Sequence, residues 1–223
     1  MNDYAKILWA AYERFLLSLG GKQVPTPYRM NEVGAFQKLG PEFQGKSSPE
    51  VLTETTQKLA KLQKFDLNKA SVEQIQDFMI NNKLGIDCSG FVYRILNYLV
   101  QEVFGKPLTS FGFEHVGRTN VKKLTSAEFT KTISKVSDIK PGDLIKLNSK
   151  KSIPHCLVVI EATPGKIVYA HSSEAAYHNG VHTHSIEITD PKLPLKKQRW
   201  LQKYTFINYD SKNGDGVRRL KFL

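Results

Sequence analysis

Two cysteines in 223 residues are too few to form a disulfide scaffold. Hydrophobic runs are short as well, and none approaches the about 18 consecutive apolar residues that a transmembrane helix requires. No signal peptide follows Met1, because the nearest candidate, ILWAAYERFLLSLG from Ile7 to Gly20, carries Glu13 and Arg14 in its middle. The expectation from these absences is a soluble, cytoplasmic protein, unless another route exports it. A phosphate-binding loop, a dinucleotide fingerprint and a serine-hydrolase elbow are all missing, which removes three large enzyme classes. There is no internal repeat and no low-complexity tract.

What is present suffices for one full core: 40% of the residues are hydrophobic. The formal charge is +11 and unevenly spread, with nine Lys and Arg against Asp210 and Asp215 from Lys192 onward. Such an end attracts polyanions, whether nucleic acid, acidic wall polymers or an anionic membrane, or else forms a solvated basic face.

Before Ile139 the apolar pattern is helical. Tyr4, Ile7, Leu8, Ala11, Phe15 and Leu16 share one stripe of an amphipathic helix. SPEVLTETTQKLAKLQ follows with Ser48 as its cap, then SVEQIQDFMINN with Ser71 and Gln74 at capping-box spacing. Between the first two, the Pro- and Gly-rich segment from Gly20 to Pro49 has no period and reads as an ordered loop or cover. After Ile139 come short strand-like runs: DLIKLN, HCLVVIEA, KIVYAHSS, VHTHSIEIT, YTFINY and VRRLKFL. Helices first and an antiparallel sheet second imply an α+β fold.

Within LGIDCSGFVYRIL, residues 84–96, Cys88, Phe91, Val92, Ile95 and Leu96 recur with helical spacing, continued by Leu99 and Val103. Cys88 therefore falls in the first turn of a helix, with Asp87 at the N-cap. A thiol there meets the positive end of the helix dipole, which lowers its pKa and helps to hold an oxyanion. That position suits a nucleophile, although a small buried hydrophobe would fit it too.

A nucleophilic thiol needs a base, and the base needs an orienting group. PHCLVVIEATPGKIVYAHSS reads as a hairpin with His155 opening one strand and His171 closing the next. Pro164-Gly165 suits a type II turn, which splays a two-residue hairpin, so a loop of three or five residues is expected. An odd loop length puts His155 and His171 on one face, about 5 to 8 Å apart. Alternation then sends Cys156 to the opposite face, into the core.

DCSGF at a helix start, IKPGDLIKL leading into a strand, and histidines on the two following strands resemble the NlpC family (NlpC/P-sixty superfamily) of papain-like cysteine peptidases. The resemblance runs from Asn68 to the C-terminus, which divides the chain into an N-terminal helical and loop extension, 1–67, and a peptidase domain, 68–223. It implies a papain-like fold with the nucleophile helix packed on an antiparallel sheet. It also implies Cys88 as nucleophile, His155 as base, His171 as orienting residue, and Asp87 and Ser89 as contacts to the substrate's amino end. Family members mostly cleave peptidoglycan stem peptides next to D-glutamate, without metal or other cofactor. The implied partner is thus a peptidoglycan-derived peptide or an anionic wall polymer. Cys88 and His155 lie 67 positions apart, a long gap for the family, with GKPLTSFGFEHVGRTNVKK as the apparent insertion.

Other readings remain open at this point. A deamidating or amide-transferring toxin-like enzyme of the same fold is one, and a non-catalytic binding domain using the basic C-terminal face is another. His178, His182 and His184 could offer metal ligands, but no carboxylate or cysteine stands at an established zinc spacing, so a polar strand face is expected and no metal. His115 and Arg118 read as surface residues of the insertion. Trp200, Tyr204 and Phe206, at alternating spacing, read as sheet core more readily than as a nucleic-acid face. Oligomeric state is left open.

Overall fold

A computed structural model describes residues 3–30, 44–148, 154–175, 178–202 and 209–223. Helix α1 (Asp3–Glu13) is followed by a small hairpin, β1 (Leu16–Leu19) and β2 (Lys22–Pro25). Three helices come next: α2 (Pro49–Leu62), α3 (Val72–Asn81) and α4 (Cys88–Phe104). Short turns of 3-10 helix and α5 (Val121–Leu124) lead to β3 (Thr130–Ile133) and β4 (Leu144–Leu147). The remaining strands are β5 (His155–Thr163), β6 (Lys166–Ala175), β7 (His178–Glu187), β8 (Arg199–Trp200) and β9 (Gly216–Leu220). Among the described residues, seven strands form one antiparallel sheet in the order β3-β9-β4-β5-β6-β7-β8. The protein is a mixed α+β fold, as the order of periodicities implies.

The caps agree with the sequence. Ser48 accepts from the N–H of Val51 at the start of α2, and Ser71 and Gln74 form a reciprocal capping box on α3. The first helix is shorter than its stripe. It stops at Glu13, and Leu16 and Leu17 enter a hairpin whose two turn residues, Gly20 and Gly21, both have positive φ (55° and 73°). Two such glycines match the turn that the twist of paired strands prefers, so the local hairpin signal overrides the helical one. Strand β3 begins before Ile139, earlier than the change in period suggests. The run YTFINY lies almost wholly outside the described residues, as do Tyr204 and Phe206, while Trp200 is buried in the core.

The sheet is covered on both faces. Leu144, Cys156, Val158, Ile160 and Ala170 pack against α4 and against Leu8, Ala11 and Phe15 in and after α1. Ile145, Leu147, Leu157, Val159, Tyr169 and Trp200 form the core behind the sheet. Residues on both sides of position 68 thus share one core. A third cluster joins the β1–β2 hairpin to α2 and α3 through Leu17, Leu52, Ile75 and Met79.

Pairing in the β5–β6 hairpin differs from expectation in an instructive way. Thr163 pairs with Lys166, so Pro164-Gly165 is a two-residue loop and not a longer one. That loop alone would place His155 and His171 on opposite faces. A bulge between Val159 and Glu161 shifts the register by one, after which Val158 faces Ala170. Continuing that register puts both histidines on one face as diagonal neighbours.

Candidate active site

Four parts of the chain build the site: the start of α4, the start of β5, the middle of β6, and a strap made of the two described segments 26–30 and 44–46. Asp87 caps α4, its Oδ1 accepting from the Gly90 N–H at 2.6 Å and from the Ser89 hydroxyl at 3.0 Å. Burial raises the Asp87 carboxyl above its ordinary range, and the ammonium of Lys46 opposes that shift.

Cys88 is the first residue of α4 and only 6% exposed. Its thiol is held well below the ordinary thiol range. A hydrogen bond from Cys156 is the largest cause; burial opposes it; the charge of His155 and a hydrogen bond from it reinforce it. Cys156 moves the other way, pushed up first by burial and then by Cys88. The opposite directions of the two shifts make Cys88 the more acidic thiol of the pair. Cys156 lies in the core as expected, and it also touches the site, its Sγ standing 3.7 Å from the carbonyl oxygen of Cys88.

His155 Nε2 and His171 Nδ1 are 2.7 Å apart. This leaves Nδ1 of His155 as the nitrogen available to the thiol. His171 is buried, and its pKa lies well below the usual histidine value. Burial is the main cause, and the neighbouring rings of His155, His182 and His184 add to it, while Gln202 opposes. A neutral His171 can accept from a protonated His155, which is what an orienting partner must do.

Behind His171 lies a series of hydrogen-bonded polar side chains. Tyr169 donates its hydroxyl to Gln202 Oε1 at 3.1 Å, and Gln202 Nε2 lies 3.1 Å from His182 Nε2. His182 Nδ1 donates to the carbonyl of Gly180 at 2.9 Å, which fixes the tautomer in which Nε2 accepts from Gln202. Both nitrogens of His182 are thus engaged within the protein. Among the described residues, no group of three or more His, Cys, Asp or Glu side chains is arranged to share a metal ion. The side chain of His178 lies outside what is described.

The described parts of the period-free segment after Gly20, 26–30 and 44–46, are ordered by contacts with distant residues. Thr26 accepts from the N–H of Val181, Pro27 from that of Ile86, and Gly45 from that of Asp87, so backbone hydrogen bonds lay the strap across the start of α4. It delivers Lys46, whose buried ammonium donates to Asp87 at 2.9 Å, to the Ser89 hydroxyl, and to the carbonyl of Thr119 at 3.4 Å. Asp87 and Ser89 thus flank Cys88 and both already hold a cation from their own chain. The strap also delivers Tyr28, whose phenol is raised by burial first and by the nearby Cys88 and Asp87 next.

A cleft of about 310 Å3 opens beside Cys88, Asp87 and Ser89, between Tyr28 and Met30 on one side and Asn120, Lys122 and Pro154 on the other. The insertion supplies part of that wall, while His115 is exposed and accepts from the N–H of Gly117. Cys88, His155 and His171, far apart in sequence, come together. Sequence reasoning missed Lys46, Tyr28, Gln202 and the thiol contact of Cys156. Lys46 and Tyr28 stand in a segment without a period, and nothing local marks a lysine that will be buried. For Cys156 the signal was available, since alternation places it on the face toward α4. Compared with known proteins, the chain matches no family model and no curated sequence.

Proposed function

We propose that this protein is a thiol hydrolase that cleaves a peptide or amide bond, with Cys88 as nucleophile, His155 as acid and base, and His171 as orienting residue. The observation that carries the reading is one continuous contact chain: a low-pKa thiol at a helix start, hydrogen-bonded to His155, which meets a neutral His171 at 2.7 Å. The thiolate attacks the carbonyl carbon while the backbone N–H of Cys88, without an acceptor inside its helix, faces the developing oxyanion. His155, as imidazolium, gives its proton to the leaving nitrogen as the C–N bond breaks, and a thioester remains. Water then loses a proton to His155, attacks the thioester and releases the acid, regenerating the thiolate.

The resemblance to the NlpC family directs the choice of fold name and substrate: a papain-like fold acting on peptidoglycan stem peptides next to D-glutamate. Mass spectrometry of purified stem peptides after incubation with the protein tests this. The expected result is a new pair of fragments formed by wild type and absent with Cys88→Ala. Intact peptides alongside a Cys88 that alkylates no faster than a free thiol would overturn the hydrolase reading. Intact peptides alongside a hyper-reactive Cys88 would move the substrate to another amide.

A further inference from the structure

Lys46 sits in a complete ammonium site. Its Nζ lies 2.9 Å from each carboxylate oxygen of Asp87, hydrogen-bonds the hydroxyl of Ser89, and reaches the carbonyl of Thr119 at 3.4 Å. Lysine and carboxylate side chains are only 8% and 11% exposed. The backbone that carries Lys46 is fixed as well. Gly45 accepts from the N–H of Asp87 at 2.9 Å, and the Arg94 guanidinium donates twice to the carbonyl of Lys46, at 3.2 and 2.9 Å. The aliphatic stem runs over Gly90, where a Cβ would stand 3.1 Å from Lys46 Cδ. Asp87 and Ser89 are next to Cys88 in sequence and line the same cleft, and Asp87 is the one carboxylate among its described lining residues.

The consequence concerns what can approach the thiol. A primary amine entering this end of the cleft finds the Asp87 carboxylate neutralised and the Ser89 hydroxyl taken, and it meets the positive charge of Lys122 on the facing wall. An amide nitrogen brings no charge and has no need of that carboxylate.

We propose that Lys46 is a specificity determinant that occupies the ammonium site beside Cys88 from within, so that the cleft selects peptides whose amino end is blocked by an acyl group over peptides with a free α-amine. The proposal rests on the hydrolase reading given above. It makes Lys46 act on the binding of substrate and not on the chemistry at Cys88.

The test compares one peptidoglycan stem tripeptide in two forms, free at its amino end and N-acetylated, each assayed for kcat and KM. Wild type should favour the acetylated form at least tenfold in kcat/KM, with most of the difference in KM. Lys46→Ala should shrink or invert that ratio, again through KM, and Lys46→Met, which keeps the bulk without the charge, should do the same. The ratio is taken within each variant, so a loss of folded protein does not alter it, and the wild-type measurement stands even if neither variant folds. Turnover of the free-amine peptide by wild type equal to or better than that of the acetylated one overturns the role of Lys46 and leaves the hydrolase reading intact. An unchanged ratio in a folded variant overturns it equally. Turnover of neither form by wild type removes the stem-peptide reading and this proposal with it.

Discussion

Burial alone would hold the Cys88 thiol neutral, but hydrogen bonds from Cys156 and His155 and the charge of His155 outweigh it. Alkylation of Cys88 by iodoacetamide should therefore reach half its maximal rate at a pH below the free-thiol value of about 8.5. Because Cys156 supplies the largest single contribution, Cys156→Ala should move that midpoint upward, while Cys88→Ala should abolish turnover and leave the fold intact. A Cys156→Ala midpoint equal to wild type would show that the second thiol is a packing residue alone. His171 makes a graded prediction. His171→Gln keeps a group able to hydrogen-bond His155 and should retain part of the rate; His171→Ala should lose more. His155→Ala should be lowest, down by about 100-fold or more in kcat, since His155 is the histidine that hydrogen-bonds the thiol and carries its proton. A fully active His171→Ala in a steady-state assay would place the orienting group elsewhere.

Two irregular elements decide whether these residues meet. The bulge in β5 corrects the parity of a two-residue turn, and without it His155 and His171 would face opposite sides of the sheet. The strap depends on Gly90, where a Cβ would lie 2.4 Å from the carbonyl oxygen of Gly45, a backbone atom that cannot swing aside. Gly90→Ala gains about 1 kcal/mol in helix propensity, but overpacking against the strap costs about 1 to 3 kcal/mol. The net effect expected is destabilisation, with a Tm lower by a few degrees. Gly165→Ala, whose Cβ would meet nothing within 4 Å, should melt like wild type. A thermal melt of Gly90→Ala at or above the wild-type Tm would show that the strap does not rest on that glycine.

For the whole molecule, the buried histidine links stability to pH. His171 has a folded-state pKa well below the unfolded value of about 6.5, so between the two the unfolded chain binds a proton that the folded chain does not. Its contribution is fully present above about pH 6.5 and is lost as pH falls through the folded value. Asp87 and Asp143 act with the opposite sign, because burial raises both and folding favours their protonated forms. The clean measurement is therefore a difference: the fall in Tm of wild type from pH 7 to pH 4.5 should exceed that of His171→Gln. Parallel curves for the two proteins would mean that His171 is not held neutral in the fold.

Much of this architecture is legible locally. The Ser48 cap, the capping box on α3, the apolar stripe from Phe91 to Val103 and the alternation of the later strands depend on neighbours two to four residues apart, and sequence by itself determined the helices α2 to α4, most of the sheet strands, and Cys88 at a helix start. The same reasoning ran α1 through Leu16, because a helical stripe and a two-glycine hairpin compete over the same residues and only the hairpin finds partners, in α2 and α3. It also found His155 and His171 on one face while assigning the wrong loop, since a bulge leaves no mark in the periodicity. Tertiary structure alone decided that Lys46 is buried on Asp87, 41 residues away, and that Gln202 stands behind His182 and His171. Burial of a charge depends on whether a partner arrives in space, and nothing within a few residues of Lys46 or Gln202 encodes which distant strand or helix will supply it.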